Sequence, residues 1–155
     1  MATDWDVVDM DKAAFHEAGH AVVAWSLKLI VDYIELDLAK KSGHARIADA
    51  KDAAHQIAVR YAGFEAEDMF RGPAAFVRAE CDFKNADEDL KNVLAQQHLR
   101  SLYSPKGRAL QIACRTCAQE RLREHKDKVR RVAERLLQPP HKIDGATFEQ
   151  LMREG

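Results

Sequence analysis

Cysteine is scarce in this chain of 155 residues, with three in all. An odd number of thiols in a chain without a secretory leader predicts reduced cysteines rather than a disulfide framework. The start, Ala2-Thr3-Asp4-Trp5-Asp6, lacks the basic-then-apolar pattern of such a leader. Long apolar runs are missing too. None approaches the ~20 residues of a membrane helix, and the best is broken by Lys28. These absences predict a cytoplasmic chain. Neither sign of charge dominates: 24 Lys and Arg face 25 Asp and Glu, for a formal charge of −1, so no bulk field draws the chain to nucleic acid or anionic lipid. There is no glycine-rich phosphate-binding loop, hence no visible ATPase, and no repeat or linker divides the chain. The apolar content of 46% suffices for the core of one ordinary domain.

What is present is His16-Glu17-Ala18-Gly19-His20, a HExxH pattern in a helical stretch. Residues four apart lie one above the other on a helix, so both imidazoles point the same way and can grip one Zn²⁺. Glu17 flanks the pair. Zinc would acidify a water, Glu17 would take its proton, and the hydroxide would attack a polarised carbonyl. A charged surface helix can carry HExxH by chance, but here Ala13, Ala14, Phe15, Ala18, Ala21, Val22, Val23, Trp25 and Leu27 make the segment apolar nearly all round. Polar groups in a buried helix need partners. Gly19, which costs about 1 kcal/mol relative to Ala inside a helix, suggests a close backbone approach.

Along the chain helices dominate. The first is predicted over residues 11–29, with Asp9 or Asp11 as its cap. Residues 31–38 alternate Ile34, Leu36 and Leu38 with Glu35 and Asp37, the period of a half-buried strand. Lys40-Lys41-Ser42-Gly43 reads as a turn and 44–47 as a short return strand. Residues 50–70 read as a helix stopped by Arg71-Gly72-Pro73. No clear period runs through 76–84, and a helix is expected to begin around Ala86 and Asp87. Ser104-Pro105 interrupts it, and 108–138 is helical in one or two pieces, ended by Pro139-Pro140. Asp144 caps a last helix, with Ile143 and Phe148 as a hydrophobic staple. The fold class predicted is mainly α, a helical zinc-peptidase domain with one or two short strands.

A catalytic zinc usually takes three protein ligands. Glu65, Glu67, Asp68, Glu80, Asp82, Asp87, Glu88 and Asp89 are the acids downstream, and periodicity alone does not choose among them.

The segment 14–25, AFHEAGHAVVAW, resembles the zinc helix of the FtsH-type ATP-dependent zinc proteases. Tyr61-Ala62-Gly63-Phe64-Glu65-Ala66-Glu67-Asp68-Met69-Phe70-Arg71-Gly72 is similar to that family's "GGRAAEE…FG" segment. Residues 120–152, with Lys142-Ile143-Asp144-Gly145, resemble its C-terminal helices and their "LDG" start. The resemblance implies a third zinc ligand in Asn85-Ala86-Asp87-Glu88-Asp89-Leu90, which falls where the family has "GAxNDL". That puts the ligand on Asp89, with Asp87 or Glu88 as alternatives. Asn85 stands where the family has glycine, and Glu88 where it has asparagine. The resemblance covers only the peptidase part of that family, so unfolded polypeptides or peptides are the expected substrates, unless a separate ATPase supplies unfolding.

By analogy with zinc peptidases, Ile34, Glu35 and Leu36 would form an exposed edge to which an extended substrate adds as a strand. Phe15 could line a specificity pocket, although such an aromatic is more often core. Cys114-Arg115-Thr116-Cys117 lacks a second pair and reads as small core residues. The basic stretch 121–135 is interleaved with acids and reads as a solvated helix face. Two functions follow: an active zinc endopeptidase with Glu17 as base, or a zinc-binding, catalytically weak module that recruits or regulates a partner.

Overall fold

The computed structural model describes residues 5–72, 76–96 and 103–154, and the side chains of all these except 76–79. The chain is mainly helical, with six helices and one small antiparallel sheet among the described residues. No helix among them is long and apolar enough to cross a membrane.

Helix α1 (Val7–Ser26) starts earlier than its apolar pattern alone predicts, because Asp6 caps it. Asp6 Oδ1 accepts from the backbone N–H of Val8 at 2.8 Å and of Asp9 at 3.1 Å. Trp5 packs into the core and donates through Nε1 to Asp9 at 2.7 Å, fixing the entry of the chain. Every residue from Ala13 to Ala24 is buried, which makes α1 the central helix.

Strands β1 (Val31–Asp37) and β2 (Ser42–Ile47) form the expected hairpin. A third strand, β3 (Lys142–Asp144), pairs Ile143 with Ile34 on the other side of β1. The sheet order is β2-β1-β3, so β1 is central and not an edge. This corrects the reading of Ile34, Glu35 and Leu36 as an exposed edge. Ile34 and Leu36 are buried, and the Leu36 N–H donates to His141 O at 2.8 Å. The residues just before Asp144, read from sequence only as a helix entry, carry an apolar Ile143 that extends the sheet as it enters the core.

Helix α2 (Ala53–Arg71), capped by Asp52, lies against α1 at very short range. A Cβ on Gly19 would fall 2.4 Å from Ala66 Cβ and 2.7 Å from Ala62 O, so only glycine permits this approach. Helix α3 runs over Phe76–Gln96, taking in the stretch 76–84 that shows no period in sequence. Its buried row of Ala86, Leu90 and Leu94 repeats every four residues, and the next position back is Asp82. Helices α4 (Pro105–Glu124) and α5 (Lys126–Leu136) meet at His125, and α6 (Gly145–Arg153) is capped by Asp144, which accepts from Thr147 N at 2.7 Å. Ile143 and Phe148 are both buried, as a staple requires. One core surrounds α1, and a smaller one (Ile57, Tyr61, Ala86, Leu90, Cys114) joins α2, α3 and α4.

Candidate metal centre

One turn of α1 separates His16 from His20, and burial forces both rings toward α2 and α3. Each Nδ1 finds an acceptor on α2. His16 Nδ1 lies 3.2 Å from Oε1 of Glu67, a fully buried carboxylate, and His20 Nδ1 lies 2.7 Å from the Val59 carbonyl. A carbonyl only accepts, so His20 carries a proton on Nδ1, and in its neutral form its Nε2 presents a lone pair. Partners of this kind orient metal-binding histidines.

The two Nε2 atoms are 3.2 Å apart, and Asp82 Oδ2 lies 2.7 Å from that of His16 and 2.9 Å from that of His20. Three acceptor atoms converging at such range repel one another unless protons or a cation lie among them. Without a metal, protons fill the role. Burial opposes charge on His16, but hydrogen bonds to Asp82 and Glu67 and the nearby Glu17 and Asp82 charges outweigh it, raising its pKa to about 9. His20 is raised as well: burial opposes its charge, and Asp82 outweighs burial. Burial would raise Asp82, yet the two imidazoles hold it well below the usual carboxylate range.

The donor set also fits a divalent cation. His16, His20 and Asp82 are the one such group among the described residues. Tetrahedral bonds of about 2.0–2.1 Å place donors about 3.3 Å apart, so the trio need open by only a few tenths of an ångström. Gly63 keeps the space clear. A Cβ there would sit 2.4 Å from His20 Nε2 and 2.5 Å from His16 Nε2. Its φ is not positive, so backbone conformation does not demand glycine here, whereas the proximity of the imidazoles does.

Glu17 is buried at 6% exposure, and its carboxylate accepts no hydrogen bond from the described residues. It lies against β2, where a Cβ on Gly43 would come within 2.6 Å of Glu17 Cγ and 2.8 Å of Oε1. Gly43, read from sequence as a turn residue, thus makes room for the glutamate. Around these groups opens a cleft of about 760 Å³ walled by α1, β2, α2 and α3. Its strand edge is β2, not β1.

The structure brings Asp82, and not Asp89, to the histidines. Asp89 is two α3 turns further on, roughly 10 Å along the axis, and pairs with Arg60 Nε at 3.3 Å. Asp87 faces a separate groove beside Tyr103, and Glu88 is exposed. Phe15 is core: it stacks on Phe70 with centroids 5.3 Å apart and lies outside the cleft lining. The cysteines are free, Cys114 buried, Cys117 partly so, and Cys81 exposed at the cleft. Glu67, Gly63 and Gly43 were not legible in these roles, since each acts through another residue's side chain. Compared with models of known protein families the chain matches none, and a search of curated proteins finds no match.

Proposed function

We propose that this chain is a zinc-dependent endopeptidase of FtsH-like type acting on peptides or unfolded polypeptides, with His16, His20 and Asp82 as metal ligands and Glu17 as general base. One observation carries the reading. The Nε2 atoms of two histidines with satisfied Nδ1 atoms converge on Asp82, beside a buried carboxylate that accepts no hydrogen bond from the described residues. A site meant only to hold structure would close its fourth position and have no use for such a carboxylate. The order of sequence landmarks shared with the FtsH-type proteases supports the same reading.

Zinc in this site would supply Lewis-acid chemistry, polarising a carbonyl and lowering the pKa of a water. The rest falls to the chain. Glu67 and the Val59 carbonyl hold the imidazoles in one orientation. Glu17 takes a proton from the attacking water, whose oxygen bonds to the carbonyl carbon, and returns it to the leaving nitrogen as the C–N bond breaks. The open edge of β2 receives an extended backbone through main-chain hydrogen bonds, which give affinity with little demand on sequence. A folded substrate would need a separate unfoldase, because only an extended strand can lie along that edge.

The test is cleavage of an unfolded protein by the zinc-loaded chain, beside Glu17→Gln and a chelated sample. Cutting that disappears in both controls is expected. Zinc bound at one equivalent with no cutting across a broad peptide panel would overturn the peptidase and leave a zinc-binding module.

A further inference from the structure

Peptide hydrolysis as proposed above needs a donor for the negative charge that gathers on the carbonyl oxygen, placed across from the group that takes the proton. HExxH does not provide it. Side-chain donors along the cleft are Lys41, Ser42, His44, Gln56, Arg60 and Asn85. Strand alternation removes two of them. The Cβ direction of Gly43 points at Glu17, so its neighbours Ser42 and His44 project from the opposite face of β2. Both are exposed, and the His44 ring lies 5.8 Å from that of Tyr33. Lys41 is exposed in the turn before β2. Gln56 is two turns of α2 before Gly63 and accepts from Ala50 N at 2.8 Å. Arg60 is drawn to Asp89, two turns of α3 away from Asp82.

Asn85 differs from all of these. It follows Asp82 by three residues on the same face of α3, where Cβ atoms stand about 5–6 Å apart. Among the described residues its Nδ2 makes only a weak 3.8 Å contact with Cys81 Sγ, which leaves the amide available to a ligand. An amide is neutral and does not compete with Asp82 for a cation. It lines the same cleft as Glu17, but from α3 and not from the α1 and β2 side on which the Glu17 carboxylate lies.

We infer that Asn85 is a catalytic residue whose side-chain amide donates to the oxygen of the scissile carbonyl. The inference rests on the peptidase reading and adds to it the oxyanion donor that the motif leaves unassigned.

Its test is Asn85→Ala in the zinc-loaded full chain, beside Asn85→Gln. Asn85 is half-buried on a helix in which alanine is the better former, so folding is retained. The expected result is a kcat lowered by about 10²–10³-fold with KM and zinc content unchanged, and partial recovery in the glutamine variant. A phosphinic peptide, tetrahedral and anionic, should lose affinity for Asn85→Ala in step with the rate. A substrate peptide should bind Glu17→Gln with or without the second substitution equally well. A kcat within about threefold of the parent chain, or a fall in zinc content that accounts for the lost rate, overturns the role of Asn85 alone. A parent chain that neither cleaves nor binds the phosphinic peptide overturns the peptidase reading, and this inference with it.

Discussion

Replacing Gly63 with alanine tests the metal centre without touching any ligand. The added Cβ would fall about 1 Å inside ordinary contact with both Nε2 atoms, since its distances are 2.5 Å and 2.4 Å and contact begins at 3.4 Å. Two relaxations are open. If α2 backs away, it gives up the close contact of Gly19 with Ala62 and Ala66 and the His20 bond to Val59. If the imidazoles swing instead, they leave Glu67 and Val59, at about 0.5–1.5 kcal/mol for each hydrogen bond. Overpacking of this kind costs about 1–3 kcal/mol, while alanine regains about 1 kcal/mol of helix propensity. The metal-free variant should therefore be destabilised by only about 0–2 kcal/mol. Zinc binding should suffer far more, because the methyl crowds the space between the two donor nitrogens. We expect at least a 100-fold loss of affinity, about 2.7 kcal/mol, so the melting-temperature gap to the parent chain widens when zinc is added. Competition against a chromophoric chelator gives the affinity, and paired melts with zinc and with chelator give the gap. A Gly63→Ala chain that binds zinc within about threefold of the parent would refute the reasoning, since the nitrogens flanking that methyl could not then be the ligands.

Further expectations separate the groups around the cleft. Asp82→Asn should weaken zinc binding by two orders of magnitude or more, whereas Asp89→Asn should leave it unchanged and lose only the half-exposed pair with Arg60, about 1 kcal/mol at most; equilibrium dialysis of the two distinguishes them. Gly43→Ala should lower kcat and spare zinc affinity, because the new methyl displaces the Glu17 carboxylate and not the histidines; steady-state rates beside zinc titration check this. pH should act oppositely on the metal-free and metal-loaded chains. The folded pKa of His16 rises from 6.5 to about 9, so its contribution to stability is complete below 6.5 and is lost as pH climbs through 9. Asp82 is lowered, so its contribution holds above 3.8 and is lost only as pH falls through its folded value. The chelated chain should thus weaken from pH 6.5 toward 9, while stabilisation by zinc grows over the same interval as fewer protons must be displaced. Melts with and without zinc across that range read both trends.

Most helices were legible from sequence by their apolar rows, but the cap of α1 and the start of α3 were not. Asp144 caps α6 as its sequence predicts, whereas Asp52 caps α2 and Ser104-Pro105, which reads in sequence as an interruption, opens α4. The third strand was not, since three residues are too few to show a period, and Lys142-Ile143-Asp144 joins the sheet only because Ile34 is already there to pair with Ile143. Its presence converts β1 from an edge to the centre and moves the candidate substrate strand to β2. Apolar alternation alone does not decide that question, since an edge strand and a central strand can both alternate.

Asp82 stands among the downstream acids in the sequence, but the helix period does not single it out. The row it shares with Ala86, Leu90 and Leu94 is the buried face of α3, and a carboxylate at its first position breaks the apolar period by which helices are read. By period the helix begins after Asp82, and the resemblance points to Asp89, one segment further along the chain. Asp82-Phe83 and Asp89-Leu90 are both an aspartate followed by a large apolar residue, seven positions apart and so on nearly the same helix face. What separates them lies four residues further on. Ala86 is small and fully buried, letting α3 close on α2 near the histidines, whereas Val93 is bulkier and only partly buried. Asp82, a carboxylate on an otherwise apolar face with the small buried Ala86 one turn later, has a buried partner. On α3 that partner is the histidine pair of α1.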